Sequence, residues 1–489
     1  MKTSFIRRVS AVVFAAAFIV LQLTGCASSP SARYDKLLSP KNPVCVYVWN
    51  YYNGNQKLAF DSLVAEFNET VGRERGVIVE VSSQGSIDGV RDALMDSLRQ
   101  KVGAQNIPDL VAAYSDIAYT FYEMGALVDI AQYMTPDELA EYLPGYLDEG
   151  RIDGGLYNFP VSKSTETFMY NKTDCDVFTQ ATGVSIESIT TLEELAQAAK
   201  AYYEWTDSLT PDIREDGRAL FGRDAVDNYI INGLKQLGHP AFTVSNGSVT
   251  VDLDRASLKT LWDNYYIPFI NGYYGAYGKF RSDDTKTGLI LAYIGSSSSA
   301  GFFPQQITRN DDTSYAVDVG VMGVPFFENA VEKSVVQQGA GYSLVKTDEK
   351  RQYAAVVFLK WLTDTKQNTE FSALSGYLPV KKEALSKDNL ERALSEGDSD
   401  QVIKRVLISS GDAVSGNTSY ASPPFSGATD ARYAMRNALV DACVADRAAV
   451  VEKIASGMSR EEAVSSYSTP EYFDRWYASL TASVNEIVK

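Results

Sequence analysis

From residue 44 onward, short apolar runs alternate with longer segments in which apolar residues recur every three or four positions. The short runs predict strands at 44–48, 77–81 and 109–113, and the longer segments predict helices at 58–67 and 90–98. Such alternation is typical of a largely parallel sheet that is covered by helices on both faces.

Ligands of parallel sheets bind beyond the carboxyl ends of the strands. Here those ends lead into 49–53 and 114–116, which are candidate binding loops. A later apolar run, 289–294, predicts another strand and leads into 295–299, a glycine followed by serines. Serine hydroxyls and loop amides suit polyols or anionic oxygens, although a flexible serine loop explains this composition equally well.

Two segments in the second half of the chain have an unusual composition. The aromatic stretch from 262 to 280 predicts a helix at 262–269 and a glycine-rich loop at 272–278. We expect the tyrosines of that loop to be exposed, where they would offer a sugar a flat apolar face and a polar tip. The polar, charged segment 387–400 predicts a solvated surface connection.

The first 25 residues have the features of a lipoprotein signal peptide. Lys2, Arg7 and Arg8 precede an apolar run too short to span a bilayer, and 23–26 read Leu-Thr-Gly-Cys. This motif resembles the bacterial lipobox, in which the cysteine, here Cys26, becomes the first mature residue and carries a lipid on its thiol. The alternative is an ordinary secretory signal with an incidental cysteine. Residues 26–43 predict a tether between the lipid and the folded body.

Composition narrows the class of protein. Cleavage before Cys26 leaves 464 of the 489 residues, which predicts two lobes or domains. The rest of the chain has no apolar run of transmembrane length, so we expect the mature chain to be soluble apart from its lipid. The formal net charge of −17 argues against nucleic-acid binding, because phosphates would be repelled. Cys45, Cys175 and Cys443 have no disulfide or metal-site spacing and are expected to be free thiols.

Candidate catalytic chemistry is sparse. His239 is the only histidine, so a serine triad would depend on it entirely, and we expect it to be structural. The serine run at 295–301 lacks the Gly-x-Ser-x-Gly spacing, and 272–279 lacks the Walker spacing. The acidic pairs 283–284 and 311–312 are expected to be solvated. The sequence therefore predicts no catalytic residue, no cofactor and no metal.

Several segments, in order along the chain, resemble extracellular solute-binding proteins of family 1, the maltose-binding and glycerol-3-phosphate-binding type of bacterial ABC importers. The most specific of them is Ser-Gly-Tyr-Leu-Pro-Val at 375–380. The others are 159–165 with 169–172, 288–300, 338–343 with 353–362, and 431–441.

The resemblance implies an α/β fold of the periplasmic-binding-protein-like type II, with two lobes, a ligand cleft between them and three hinge crossings. The crossings would lie near Pro160, Gly339 and Gly376, where glycine and proline permit or fix the backbone directions that a hinge needs. The lobes would be 44–160 plus about 339–376, and 161–338 plus about 377–489.

Ligand-binding residues carry over from the family one position at a time. Ser115 stands where relatives often have a glutamate, and Tyr229 is the nearest substitute for a stacking tryptophan. Ala428 stands where the glycerol-phosphate type has its phosphate-holding arginine, with Arg432 one helical turn further on. The ligand stays open among sugars, polyols and glycerol-phosphate-like compounds. The candidate residues are Tyr51, Tyr52, Ser115, Asp116, Ser164, Tyr229, Ser297, Ser298, Gly339, Tyr377 and Arg432.

The resemblance implies a monomeric, non-enzymatic binding protein that delivers a carbohydrate-like solute to the membrane subunits of an ABC permease. The lipid on Cys26 would hold it to the cell membrane outside the cytoplasm. Two alternatives stay open: a surface lipoprotein glycoside hydrolase with paired carboxylates in its cleft, and a receptor of the same fold that signals to a membrane sensor.

Overall fold

The computed structural model describes residues 33–245, 247–308, 313–396 and 400–489. Its strands are short, and many are rich in the β-branched and aromatic residues that fit a half-buried pleated surface. In chain order they are β1 (Val44–Asn50), β2 (Val77–Ser83), β3 (Leu110–Ala113), β4 (Arg151–Ile152), β5 (Gly155–Leu156), β6 (Glu166–Asn171), β7 (Phe221–Arg223), β8 (Phe242–Ser245), β9 (Ser248–Val251), β10 (Ala292–Ser296), β11 (Gln306–Thr308), β12 (Ser314–Ala316), β13 (Val319–Met322), β14 (Ser334–Val336), β15 (Gly341–Leu344) and β16 (Thr418–Tyr420).

The helices range from single turns to the long α17. In chain order they are α1 (Gly54–Glu69), α2 (Val71–Arg75), α3 (Ile87–Leu98), α4 (Ser115–Glu123), α5 (Pro136–Ala140), α6 (Pro144–Glu149), α7 (Lys172–Thr182), α8 (Leu192–Ser208), α9 (Val226–Gln236), α10 (Arg255–Ile270), α11 (Arg281–Lys286), α12 (Glu349–Leu362), α13 (Thr365–Ser375), α14 (Lys382–Leu385), α15 (Lys387–Glu396), α16 (Gln401–Gly416), α17 (Ala428–Ala455), α18 (Arg460–Ser465) and α19 (Pro470–Ile487). Short 3₁₀ turns lie at Asp35–Leu37, Ile130–Tyr133, Ile186–Ser188 and Ser297–Phe302.

The first sheet has the strand order β15–β3–β1–β2. β1 is parallel to both β2 and β3, with Val44 opposite Val77 and Val48 opposite Leu110. β15 comes from far along the chain and closes the edge antiparallel to β3. Residues of α1 and α12 share a hydrophobic core with β1, and α3 and α4 pack on the other face. The predicted strand–helix order and largely parallel sheet are therefore confirmed.

The second sheet has the order β13–β6–β10–β7. β6 is antiparallel to β13 and β10, and β10 is parallel to β7. Helices α8, α9, α10, α17 and α19 contribute to the hydrophobic core on this sheet. Within α10, Trp262 and Tyr266 stack with ring centroids 3.6 Å apart, so the helix predicted at 262–269 is confirmed as the aromatic part of α10.

Three chain segments lie side by side where the two sheets approach each other. Ser164 donates its backbone N–H to the carbonyl oxygen of Gln338 at 2.8 Å. The backbone N–H of Lys163 donates to the carbonyl oxygen of Leu378 at 3.0 Å. These are the segments in which the resemblance places the crossings.

Folded structure begins inside the predicted tether of 26–43. Tyr34 is 7% exposed, its ring centroid lies 4.7 Å from that of Tyr133, and Asp35 forms an ion pair with Arg75. Burial of an aromatic ring is favourable because it removes apolar surface from water, so Tyr34 belongs to the folded body. The predicted tether can therefore extend no further than residue 33. Cys26 and the signal-peptide residues lie outside the described part of the chain.

Three predictions about the second half of the chain are wrong. The acidic pair 283–284 is not solvated as a whole, because Asp284 is 2% exposed and forms an ion pair with Arg281. The other acidic pair, 311–312, lies outside the described residues. Segment 387–400 holds the helix α15, in which Leu390 and Leu394 are buried four positions apart, because a polar composition can conceal one narrow apolar face. The loop at 272–278 is not helical, as predicted, but Tyr273 and Tyr274 are buried in the second core and only Tyr277 is exposed.

The prediction of free thiols is confirmed for the three cysteines that the structure describes. Cys175 and Cys443 are buried free thiols, and Cys45 is partly exposed. Across the described ranges, no helix combines the length and apolar character needed to cross a membrane. Within the same ranges, acidic, histidine and cysteine side chains form no group of three or more that could hold a metal ion. Capping boxes begin the helices after Thr135, Thr191 and Ser459.

Candidate functional site

A cavity of about 280 Å³ lies between elements of the two sheets. On one side it is lined by Tyr114, which joins the carboxyl end of β3 to α4, and by 115–117 in the first turn of α4. On the other side it is lined by residues of α9 and α17, and 336–338 and 420–422 complete the wall. The carboxyl end of β3 thus opens into the cavity, as is usual for parallel sheets.

One direct hydrogen bond crosses this cavity between elements that pack on different sheets. The Thr429 hydroxyl, in the first turn of α17, donates to Asp116 Oδ2 of α4 at 2.6 Å. The other carboxylate oxygen of Asp116 accepts the backbone N–H of Ile117 at 2.9 Å. The Asp116 carboxylate therefore joins the two sides of the cleft directly.

Arg432, a cation that interacts with Asp116, is already paired with a second carboxylate. Arg432, one turn into α17, donates to Asp227 Oδ2 of α9 at 2.6 Å. Burial opposes the charge of Arg432, but Asp227 and Asp116 outweigh it and raise the pKa of the guanidinium above its usual value. Arg432 therefore stays charged and is neutralised by the protein itself.

The crossing segments contribute a second polar group. Lys163 Nζ, 2% exposed, donates to Glu149 Oε2 and to the carbonyl oxygen of Gly339, both at 2.9 Å. Gln337 Nε2 also donates to Glu149, and Gln338 Oε1 accepts from Asn228 Nδ2 at 2.9 Å. This network fixes the wall of the cavity beside the adjoining segments 163–164 and 337–339.

Tyrosines adjoin the cavity at the end of the first sheet. Tyr114 lines it, and the hydroxyls of Tyr51 and Tyr377 lie 3.1 Å apart in the same cluster. Burial, followed by the electrostatic effect of neighbouring Tyr52, raises the pKa of Tyr377 to about 12. The phenol groups therefore stay neutral and can both donate and accept hydrogen bonds.

The structure places the sequence-predicted site residues in three settings. Ser115, Asp116 and Arg432 line the cavity, and Tyr51 and Tyr377 lie in the adjoining tyrosine cluster. The remaining residues support the cleft or lie in the core.

Three of those remaining residues belong to the backbone around the crossings. The backbone N–H of Ser164 donates to the carbonyl oxygen of Gln338. Gly339 has no side chain, but its carbonyl oxygen accepts a hydrogen bond from Lys163 Nζ. Ser297 is fully buried, with its backbone N–H bound to the carbonyl oxygen of Thr165 at 2.8 Å. These three residues therefore support the cleft through their backbone and do not line the cavity.

The last three do not line the cavity. Tyr52 is 1% exposed and packs in the first core, and Tyr229 is 3% exposed with its hydroxyl bound to the carbonyl oxygen of Leu261. The stacking role suggested for Tyr229 is therefore not supported, because its ring is enclosed by the second core. Ser298 contacts the hydroxyl of Ser296 at 2.9 Å.

Sequence reasoning missed several cavity-lining residues. Asn228 and Asn232 of α9 had no distinctive spacing, although polar residues on one face of an otherwise buried helix are a usable signal. The pairing of strands that are distant in the sequence brings three further residues to the cavity, Gln337, Tyr420 and Ser422. Such pairing leaves no pattern in the local sequence.

A family model described as bacterial extracellular solute-binding protein matches residues 62–394. The chain belongs to this family. The solute-binding protein is thus a member of a family of binding proteins and not of enzymes, in agreement with the sequence analysis, and the glycoside hydrolase alternative is withdrawn.

Solved structures of other binding proteins share the fold. The cyclic α-maltosyl-1,6-maltose binding protein from Arthrobacter globiformis is 19% identical, with a TM-score of 0.66 over 92% of this chain and 100% of that one. UgpB from Mycobacterium tuberculosis, in complex with glycerophosphocholine, is 17% identical, with a TM-score of 0.63 over 92% and 100%. The maltotriose-bound MalE domain from Bdellovibrio bacteriovorus is 16% identical, with a TM-score of 0.59 over 90% and 100%. At these identities the likeness shows the fold, which is the periplasmic-binding-protein-like α/β fold that the resemblance implied.

Proposed function

We propose that this solute-binding protein captures a carbohydrate-like solute in the cavity and delivers it to an ABC permease. The observation that carries the proposal is the cavity itself, which is bounded by elements of both sheets and lined by amides, hydroxyls and tyrosines together with charged side chains such as Asp116 and Arg432. Amides and hydroxyls can satisfy many sugar hydroxyls, and tyrosine adds a flat apolar face. Two of the similar folds belong to proteins named for maltose-type ligands, which supports the same class.

A second candidate ligand is a glycerophosphodiester. It is favoured by the fold shared with the glycerophosphocholine complex of UgpB and by Arg436, which lines the cavity. The Arg436 guanidinium lies 4.4 Å from the ring centroid of Tyr433, and its Nε donates to Asn437. Ala428, at the N-terminus of α17, offers no charge at the position where the family's phosphate-holding arginine would stand.

We further propose that the mature protein is held to the cell membrane by a lipid on Cys26 and works as a monomer. The charge, length and Leu-Thr-Gly-Cys sequence of the N-terminus support the lipid. Mass spectrometry of the mature N-terminus is expected to find a diacylglyceryl thioether on Cys26, and a Cys26→Ser variant is expected to leave the membrane fraction. Membrane association of Cys26→Ser equal to that of the wild type would contradict the anchor.

The lobes are proposed to divide as the resemblance implied, at 44–160 plus about 339–376 and at 161–338 plus about 377–489. The separate sheets support this division, since β15 at Gly341–Leu344 returns to the first sheet. A same-fold receptor for a membrane sensor would use the same cavity and differ only in its partner.

The test of ligand binding is a thermal-shift screen of the purified mature protein against sugars, polyols and phosphate esters. A ligand that binds only the folded state raises the melting temperature with the logarithm of its concentration over Kd. We expect a shift with at least one carbohydrate-like compound, confirmed by calorimetry. Stimulation of the ATPase activity of the reconstituted permease by the loaded protein would then separate import from sensing. A screen in which no compound shifts the melting temperature would contradict the proposal.

A further inference from the structure

A largely buried ion pair forms part of the cavity wall. Glu149, the last residue of α6, lines the cavity, and Lys163 Nζ lies 2.9 Å from its Oε2. The two side chains are 6% and 2% exposed. A carboxylate that leaves water is costly unless it is paired and hydrogen-bonded, so the protein itself must hold Glu149 in place.

Two donors hold Glu149 through one of its oxygens. Lys163 Nζ and Gln337 Nε2 both donate to Oε2. Lys163 Nζ also donates to the carbonyl oxygen of Gly339 at 2.9 Å, and Gln337 Nε2 donates to that of Gly145 at 3.0 Å. Both donors are therefore anchored on the backbone, and the carboxylate cannot turn without breaking these bonds.

The other carboxylate oxygen, Oε1, is available to a solute. It accepts none of these hydrogen bonds, and it is not one of the side-chain oxygens that are sealed off from solvent in the described part of the chain. A carboxylate oxygen only accepts hydrogen bonds. A solute that touches Glu149 must therefore present an O–H or N–H group to it.

The next cavity residue along the chain, Gln338, offers the complementary donor. Asn228 Oδ1 accepts from Arg432 at 3.5 Å, and Asn228 Nδ2 donates to Glu166 Oε1 at 3.3 Å, so both ends of the Asn228 amide are fixed. Asn228 Nδ2 also donates to Gln338 Oε1 at 2.9 Å. The opposite end of Gln338, which lines the cavity, is therefore its NH₂ group, which only donates.

The charges around this acceptor disfavour an anion beside it. Glu149 neutralises Lys163, and Asp227 neutralises Arg432, so neither cation is left to balance an anionic solute. The remaining cation of the lining, Arg436, stands one turn beyond Arg432 on α17. An anionic group of a solute is therefore expected at Arg436 and not beside Glu149.

We propose that Glu149 is a specificity-determining residue: its Oε1 accepts a hydrogen bond from a hydroxyl group of the solute, and the NH₂ group of Gln338 donates to a hydroxyl oxygen. Hydroxyl groups both donate and accept, so those of a sugar or of a glycerol moiety match this pair. A phosphate oxygen only accepts, and the carboxylate repels it. This inference rests on the proposed function and states which part of the solute meets this wall.

The first test is Glu149→Gln, with binding measured by calorimetry on the mature protein. The probes are glucose, maltose, maltotriose and glycerophosphocholine, which distinguish sugar hydroxyls from glycerol hydroxyls. We expect the variant to bind the tightest of these probes about tenfold more weakly, because a hydrogen bond to a charged acceptor is lost. We also expect inorganic phosphate to compete more strongly than in the wild type, because the repelling charge is gone. Unchanged affinity would overturn the role of Glu149, and unchanged phosphate competition would overturn the exclusion of anions.

Gln338→Glu is the second variant, and it leaves the pair of Lys163 and Glu149 intact. It keeps an acceptor for Asn228 but replaces the NH₂ donor with a carboxylate oxygen. We expect it to weaken the same probe about fivefold or more. If Glu149→Gln does not melt cooperatively, Gln338→Glu decides, and wild-type affinity in that variant would overturn the inference.

Glu138→Gln is the matched control. It also removes a carboxylate that pairs with a lysine, Lys360, but Glu138 does not line the cavity. It should leave the affinity unchanged, and a loss as large as that of Glu149→Gln would assign the effect to lost ion pairing and overturn the inference. Wild-type affinity in both cavity variants would overturn this inference while leaving the proposed function intact. Wild-type protein that binds none of the four probes would contradict the proposed function, and the role of Glu149 would fall with it.

Discussion

At the scale of single residues, two glycines fix the backbone where the segments around Lys163, Gln338 and Leu378 lie side by side. Gly339 has φ +108° and Gly376 has φ +75°, conformations that residues with a Cβ rarely adopt. A Cβ on Gly376 would lie 3.1 Å from the carbonyl oxygen of Ser297, and a Cβ on Gly339 would lie 3.0 Å from that of Ser162. Backbone conformation and space both require glycine where the neighbouring segments meet.

Gly376→Ala is expected to lower the free energy of unfolding by about 1–2 kcal/mol, because alanine is strained at this φ and crowds Ser297. Urea denaturation of the mature protein measures the change. Gly323→Ala is the matched control, since its φ lies outside the left-handed region and nothing lies within 4 Å of the added Cβ. Equal denaturation midpoints for the two variants would show that the crossing tolerates a side chain.

Some cavity residues could be predicted because they follow a strand of the parallel sheet. Others could not, because they reach the cavity only through the pairing of strands that are distant in the sequence. Ser115 and Asp116 follow a strand of a parallel sheet, so a general rule locates them without a structure. Tyr420 and Gln337 meet only because β16 pairs with β14, and neither segment has a pattern that names the other.

At the scale of elements, the start of α5 combines three interactions on one carboxylate. Glu138 accepts the backbone N–H of Thr135 at 2.7 Å in a capping box and pairs with Lys360 Nζ of α12 at 2.7 Å. Burial would raise the pKa of Glu138, but the hydrogen bonds from Lys360 and Thr135 outweigh it and hold the pKa below its ordinary value of 4.5. The capping box joins residues that are neighbours in the sequence, whereas the partner on α12 is distant in the sequence.

Glu138→Gln keeps the capping geometry and removes the charge. We expect it to lower the free energy of unfolding by about 0.5–1 kcal/mol at pH 7, a value reduced by solvent screening of this half-exposed pair. The folded pKa is lowered, so the contribution is fully present above pH 4.5 and disappears as the pH falls through the folded pKa. Denaturation at a series of pH values measures the difference between wild type and variant. A difference that stays constant from pH 7 to pH 3 would contradict the charge-based explanation.

At the scale of the whole molecule, the alternation of strands and helices predicted β1, β2 and β3 of the first sheet, which are close in sequence and pair with β1 at their centre. It did not predict β15, which joins the sheet from far along the chain. The second sheet mixes parallel and antiparallel neighbours from distant segments, as in the pairing of β6 with β13. Only the family resemblance indicated this second sheet, since the periodicity of apolar residues along the chain does not specify which distant strands pair. The same limit applies to the cleft, whose walls are set by how the two halves meet.

The bond between Asp116 and Thr429 is one such contact between the two halves. It joins α4 to α17 at 2.6 Å, and separation of the two sides would break it. A contact made only in the closed arrangement stabilises that arrangement, and a solute that binds the closed arrangement is bound more weakly when the contact is lost.

Thr429→Val is therefore expected to shift the ligand-free protein towards an open arrangement, with a larger radius of gyration in small-angle scattering. The loss of about 1 kcal/mol would weaken sugar binding roughly fivefold. Thr429→Ser retains the hydroxyl and should behave as wild type in both measurements. If valine and serine variants have the same radius of gyration and the same affinity, the bond does not bias closure. A lower affinity of Thr429→Val with an unchanged radius would instead assign Asp116 and Thr429 to ligand contact alone.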